Sequence, residues 1–250
     1  MTATPASLVP IADVLEAEHG IGLDRLEPLT GGYQNEVYRA GDMVVRVERA
    51  SAESVAWEHA LVRFFSEQLP EIEPPFGAPI AADASVVSLW PYVEGRPARR
   101  RHEPHALAAA ELLSRLHRAG VDWPGGQRPG ARALHSEGAQ GPIHGDFYRG
   151  NVLMRRGRIV GLVDWEESHV DAFDYELASA VWEFCSSKRA HDFDRRLAAT
   201  MLDACGSDLT PGDLVPLILT RLRYELEAWS ADSDEPYRRH LRHSIARLGG

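Results

Sequence analysis

Residues 143 to 167, IHGDFYRGNVLMRRGRIVGLVDWEE, constrain the fold more than any other stretch of the chain. Two apolar runs flank an Arg156-Gly157 turn, which is the pattern of a β-hairpin. Polar residues crowd its mouth: His144, Gly145, Asp146 and Asn151 precede the first run, and Asp164 follows the second. A hairpin brings its two ends side by side, so an amide oxygen at Asn151 and a carboxylate at Asp164 are expected as neighbours. Such a pair suits the hard oxygen ligation of Mg²⁺. A further carboxylate in a tight loop, Asp146, suits the acceptance of a proton from an attacking hydroxyl. Together they point to phosphoryl transfer, where a protein acts mainly by positioning and by stabilising charge.

The pattern His-Gly-Asp-x-x-x-x-Asn followed by Leu-Val-Asp-Trp resembles the aminoglycoside phosphotransferase and choline kinase-like family. Its members are small-molecule hydroxyl kinases with the protein-kinase fold. Nearly the whole chain can be laid on that pattern, with residues 143 to 178 carrying the specific match. The resemblance implies ATP and Mg²⁺ as cofactors, Asp146 as catalytic base, His144 as a brace of its loop, and Asn151 and Asp164 as metal ligands. It also implies a nucleotide-binding set. Gly31 and Gly32 fall at the phosphate-covering turn, Arg46 stands where the family usually has a strand lysine, and Glu58 is its helix partner. Pro91, through its C=O, and Val93, through its N–H, fall at the adenine-pairing hinge. Arg is a planar fork where Lys is a point charge, so the substitution at position 46 alters the expected geometry. Glu176 falls where a carboxylate supports the catalytic loop.

Around this segment the patterning changes along the chain. Short β-type runs around residues 26–29, 37–40, 43–47, 78–82 and 85–93 surround one helical repeat, from Ser51 or Glu53 to Leu69. From Gly95 onward, helical periodicity dominates. The expected architecture is α+β: a protein kinase-like bilobal fold, with a small antiparallel-sheet lobe bearing one helix and a mainly helical lobe carrying the catalytic β-hairpin. Residues 1–93 form the expected nucleotide-binding lobe, and 94–250 the catalytic and acceptor-binding lobe. Charge divides in the same place: the first 93 residues hold 14 acids and 5 bases, the remainder 23 and 22.

Composition removes several classes of function. Lys188 is the only lysine, and no Gly-Lys-Ser/Thr occurs, so a Walker A loop is excluded. A net charge of −10 disfavours nucleic acid as a partner. The first twenty residues lack a basic region followed by an apolar run, so neither a signal peptide nor a membrane anchor is expected. Cys185 and Cys205 form no CxxC and read as reduced thiols of a cytoplasmic protein. A protein kinase would show Arg in place of Gly145 and Phe-Gly after Asp164. Their absence favours a small-molecule hydroxyl acceptor, with no protein partner implied.

Six acids fall in residues 164–176, counting Asp164 and Glu176, and neither Lys nor Arg lies between Arg158 and Lys188. Glu166, Glu167, Asp171 and Asp174 are therefore the candidate contacts of a cationic acceptor, such as an amine-bearing antibiotic or natural product. The same acids also suit a helix N-terminus without any ligand. Glu225 and Glu227 read as solvated helix surface. The motif serves equally a metabolic kinase of homoserine, choline or an amino sugar. A catalytically silent nucleotide-binding protein is the alternative from another class.

Overall fold

The computed structural model describes residues 8, 12–29, 35–82, 85–135, 137–187, 189–228 and 235–249. The chain divides into two compact units: Met1–Glu94 with Arg128–Gly130, and Gly95–Gln127 with Ala131–Gly250.

The first unit runs α1 (Ala12–His19), a 3-10 turn (Leu23–Arg25), β1 (Glu27–Pro28), β2 (Glu36–Ala40), β3 (Met43–Glu48), α2 (Ala52–Ser66), β4 (Phe76–Ala82) and β5 (Ser85–Pro91). The strands form one antiparallel sheet in the order β1-β2-β3-β5-β4. Its central strand β3 explains how the unit is built. Val45 and Val47 point to one face and join a core with Leu15, Ile21, Leu26, Val87 and Leu89. Arg46 and Glu48, at the alternate positions, point to the other face, towards α2. Ser51 caps α2 by accepting the Ser54 N–H at 3.2 Å. The helix then buries Val55, Glu58, Leu61, Val62 and Phe65 at helical spacing. Arg128 belongs with this unit because its side chain bonds to α2.

The second unit contains β6 (Arg96–Pro97), α3 (Glu103–Gly120), β7 (Gln140–Ile143), β8 (Val152–Arg155), β9 (Arg158–Leu162), β10 (His169–Ala172), α4 (Phe173–Cys185), β11 (Ser186–Ser187), β12 (Asp192–Phe193), α5 (Arg195–Cys205), α6 (Leu214–Ala228) and α7 (Glu235–Gly249). The expected hairpin is β8–β9, with Arg155↔Arg158 closing its turn and Val152↔Leu162 at its mouth. Between the hairpin and α4, β10 pairs antiparallel with β7, His169–Ala172 lying against residues 140–143. That ladder seats the residues before His144 against those leading into α4. No helix among the described residues is long and apolar enough to cross a membrane. Cys185 and Cys205 are free thiols, and burial pushes each up to about 12.

His59 on α2 is 1% exposed and packs edge-on against Trp90, with ring centroids 5.1 Å apart. Burial pushes its imidazole down to about 4. The unfolded chain therefore takes up this proton first, and stability falls as pH drops from about 6.5 towards 4. Replacing His59 with Phe removes that titration. Urea unfolding at pH 7 and pH 5 should show a smaller loss between the two pH values for the variant than for the parent.

Candidate active site

The geometry around Asp146 begins with a glycine. Gly145 has φ +80°, and a Cβ there would lie 2.1 Å from the Glu167 carbonyl oxygen. The Arg of protein kinases has no room at this position. Both peptide groups of Gly145 are held by charged side chains: its N–H donates to Glu176 Oε1 at 2.9 Å, and its C=O accepts from Arg221 Nη1 at 2.7 Å. Glu176 is itself fixed by His117, whose Nε2 lies 2.8 Å from Oε2. His144 is fully buried between Trp165 and Phe147. Its Nδ1 accepts the Asp146 N–H at 3.3 Å and its Nε2 donates to the Val163 carbonyl at 3.0 Å. One ring thus ties the loop before the hairpin to the strand end after it.

Asp146 is 32% exposed at its side chain and so open to a reactant. Asn151 Nδ2 donates to both its backbone carbonyl, at 3.0 Å, and its Oδ2, at 3.1 Å. Both neighbours are oxygens, so the amide can present only its NH₂ to them and Oδ1 must face away. On the other side of the mouth, the Val163 N–H donates to the Asn151 carbonyl at 3.0 Å. Asp164 follows, exposed, at φ +67°. A left-handed non-glycine residue of this kind is held by its surroundings and recurs at functional positions. The hairpin therefore delivers one amide oxygen and one carboxylate, a set that fits Mg²⁺, which takes one or two carboxylates and completes its shell with phosphates and water. Among the described residues no three His, Cys, Asp or Glu side chains form a metal cluster.

The acidic residues fare differently from one another. Asp171 is completely buried, and its oxygens accept the N–H groups of Leu134 (2.6 Å), His135 (3.0 Å) and Ala172 (2.7 Å), with His169 Nε2 at 3.2 Å. This corrects its reading as an acceptor contact: the carboxylate is spent on bracing the segment before β7. Glu166 and Glu167 are half-buried in the turn after Asp164, and Asp174 is exposed in the first turn of α4. Glu225 is also corrected: it is an ion-pair partner of Arg221, 12% exposed, and not solvated surface.

In the first unit, Arg46 and Glu58 are buried at 6% and 0% exposure and bonded to each other. Arg46 also lies 3.2 Å from Glu48 and stacks over Trp90. Arg128 closes the set, with Nη2 3.0 Å from Glu58 Oε2 and Nε 2.7 Å from Ser54 Oγ. Two guanidiniums thus balance two carboxylates, as burial demands. Burial still pushes the Glu48 carboxyl upward, although Arg46 beside it pulls the other way. Pro91 lies opposite Met43, next to the bond from Tyr92 N–H to the Asp42 carbonyl at 2.8 Å, so it occupies a position not hydrogen-bonded to β3. Val93 is half-buried just beyond. Gly31 and Gly32 lie outside the described residues.

The model of the phosphotransferase enzyme family matches residues 25–136 and 127–208. The chain belongs to that family. No curated protein matches it in sequence. Among solved structures it is similar to the gentamicin complex of the phosphotransferase APH(2")-IIa (TM-score 0.69, 16% identity, covering 99% of this chain and 97% of that one). It is also similar to the GDP complex of aminoglycoside 2'-phosphotransferase-IIIa (0.69, 13%, 98% and 99%). A third is APH(4)-Ia with AMP-PNP and hygromycin B (0.63, 14%, 96% and 98%). At these identities the likeness shows the fold, and the α+β, kinase-like architecture is that of aminoglycoside phosphotransferases. Sequence reasoning missed two arginines that bond candidate site residues of this phosphotransferase, Arg128 in the first unit and Arg221 in the second. Each is one arginine among 26, and the candidate site residue it bonds, Asp146 for Arg221 and Glu58 for Arg128, lies far away in sequence, so no spacing marks it.

Two outcomes follow. Gly145→Ala forces its Cβ onto a carbonyl and should cost about 2 kcal/mol or more in denaturant unfolding, a magnitude set by backbone strain and overpacking. The Asp171–His169 pair should give a stability plateau. Burial works against charging either group, but their mutual hydrogen bond and the surrounding backbone bonds lower Asp171 and raise His169. The Asp171 contribution is present above about pH 4 and lost as pH falls further, whereas the His169 contribution is complete below about pH 6.5 and lost as pH rises through its raised value. Asp171→Asn should flatten that profile and lower stability by about 3 kcal/mol.

Proposed function

We propose that this phosphotransferase moves the γ-phosphoryl group of ATP to a hydroxyl of a cationic small molecule, an amine-bearing antibiotic or natural product. The observation that carries the reading is Asp146: a carboxylate open to a reactant, steered through one oxygen by Asn151, at the mouth of a hairpin that also presents Asp164. Asp146 would accept the hydroxyl proton as the new O–P bond forms and the β–γ bridging bond breaks towards ADP. Asn151 Oδ1 and Asp164 would hold Mg²⁺, which when bound neutralises charge on the transferring group. Arg46, kept in place by Glu58, is the proposed phosphate contact, with Gly31 and Gly32 covering the phosphates. Pro91 C=O and Val93 N–H are the proposed adenine contacts.

Nucleotide complexes of the similar structures, with GDP and AMP-PNP, support a nucleotide donor. Gentamicin and hygromycin B in those structures support an aminoglycoside-like acceptor. Glu166, Glu167 and Asp174 remain as the proposed acceptor contacts. A metabolic hydroxyl, on homoserine, choline or an amino sugar, is the second reading. It is favoured by the burial of Asp171, which thins the acidic set expected to bind an antibiotic's several amines.

Incubation with Mg²⁺-ATP and a panel of these compounds, read by mass spectrometry, separates the readings. One compound should gain a phosphoryl mass, and Asp146→Asn should lower that turnover by roughly 10²- to 10⁴-fold, the usual share of a general base. Turnover unchanged in the variant would remove Asp146 from the chemistry.

A further inference from the structure

We propose that Arg221 on α6 is the positioning residue for Asp146, and that α7 sets its placement through Tyr237 and Glu225. The inference rests on the reading of Asp146 as proton acceptor and extends it to a part of the chain that no sequence motif marks.

All three guanidinium nitrogens of Arg221 are committed within the second unit. Nη1 donates to the Gly145 carbonyl at 2.7 Å, Nη2 lies 3.3 Å from Asp146 Oδ1, and Nε donates to Glu225 Oε1. The other oxygen of Glu225 accepts the Tyr237 hydroxyl at 2.6 Å. Arg238 on α7 donates to the Leu226 carbonyl of α6 at 2.9 Å, a second tie between the two helices. The planar fork spans the carbonyl of one residue and the carboxylate of the next, so it fixes the peptide plane and the side-chain torsions of the loop together. A lysine, with its single nitrogen, cannot hold three such acceptors in one plane.

The consequence for Asp146 is specific. Asn151 holds Oδ2 and Arg221 holds Oδ1, so the carboxylate is gripped from both sides. Each oxygen keeps lone-pair capacity for an incoming hydroxyl. Burial opposes the charge on Arg221, but Glu225, Tyr175 and Asp146 outweigh it and hold the guanidinium well above its ordinary range. The clamp therefore stays charged throughout the working pH range. Releasing one side lets the carboxylate rotate out of line with the donor, an error of the size that costs about two orders of magnitude in rate.

The test is single-turnover release of phosphate from Mg²⁺-ATP, with protein in excess and water as the acceptor, so that no acceptor need be known. Arg221→Gln should slow release by roughly 10²-fold, leave AMP-PNP affinity unchanged, and be partly rescued by Arg221→Lys. In an Asp146→Asn background the same change should alter the rate by less than about twofold, because a residue acting only through Asp146 has nothing left to act on. Tyr237→Phe keeps every charge and should slow release several-fold in the same Asp146-dependent way; it decides the matter where Arg221→Gln fails to fold. A parental rate in both the Arg221→Gln and Tyr237→Phe variants would overturn the proposal, as would an equal slowing with Asp146 present and absent. If Asp146→Asn alone keeps the parental rate, the reading of Asp146 fails first and the role of Arg221 falls with it.

Discussion

The loop that carries Asp146 is organised by a contact that permits no side chain. The Glu167 carbonyl sits where a Cβ of residue 145 would be, so the turn after β9 and the loop before β8 can interlock only through glycine. With the side chain gone, the Gly145 peptide groups become the handles. Glu176 takes the N–H and Arg221 takes the C=O, one residue from α4 and one from α6. His144 then fastens the same two segments from the buried side. Asp146 inherits its position from these bonds and from Asn151, beside which the Val163 N–H bond sets Asp164.

The first unit meets the same problem, charge inside a small fold, by balance. An arginine on the central strand reaches two carboxylates, and the burial of both is made tolerable by Arg128 and the Ser88 hydroxyl. Arg46 is thus one member of a set of two buried cations and two buried carboxylates. The resulting network is neutral, with each Glu58 oxygen bonded to a different arginine.

Much of this was legible in the sequence, because hairpin and helix periodicities are local. The β8–β9 hairpin, helix α2 and the glycine in front of Asp146 all follow from residues within a few positions of one another. What stayed hidden depends on chain segments meeting from afar. The β7–β10 ladder has strands of four residues whose alternation is too short to stand out. Asp171 read as an acceptor contact because composition cannot tell an exposed carboxylate from one saturated by three backbone N–H groups. Glu225 read as solvated helix surface, and only packing of α6 beside the Gly145–Asp146 loop turns it and Arg221 inward.

The proposed role of the hairpin mouth as a metal–nucleotide site is open to calorimetric titration of AMP-PNP with and without Mg²⁺. Mg²⁺ should tighten binding in the parent and in Asp146→Asn, and Asp164→Ala should lose the tightening while keeping metal-free binding. Equal tightening by Mg²⁺ in Asp164→Ala would contradict it.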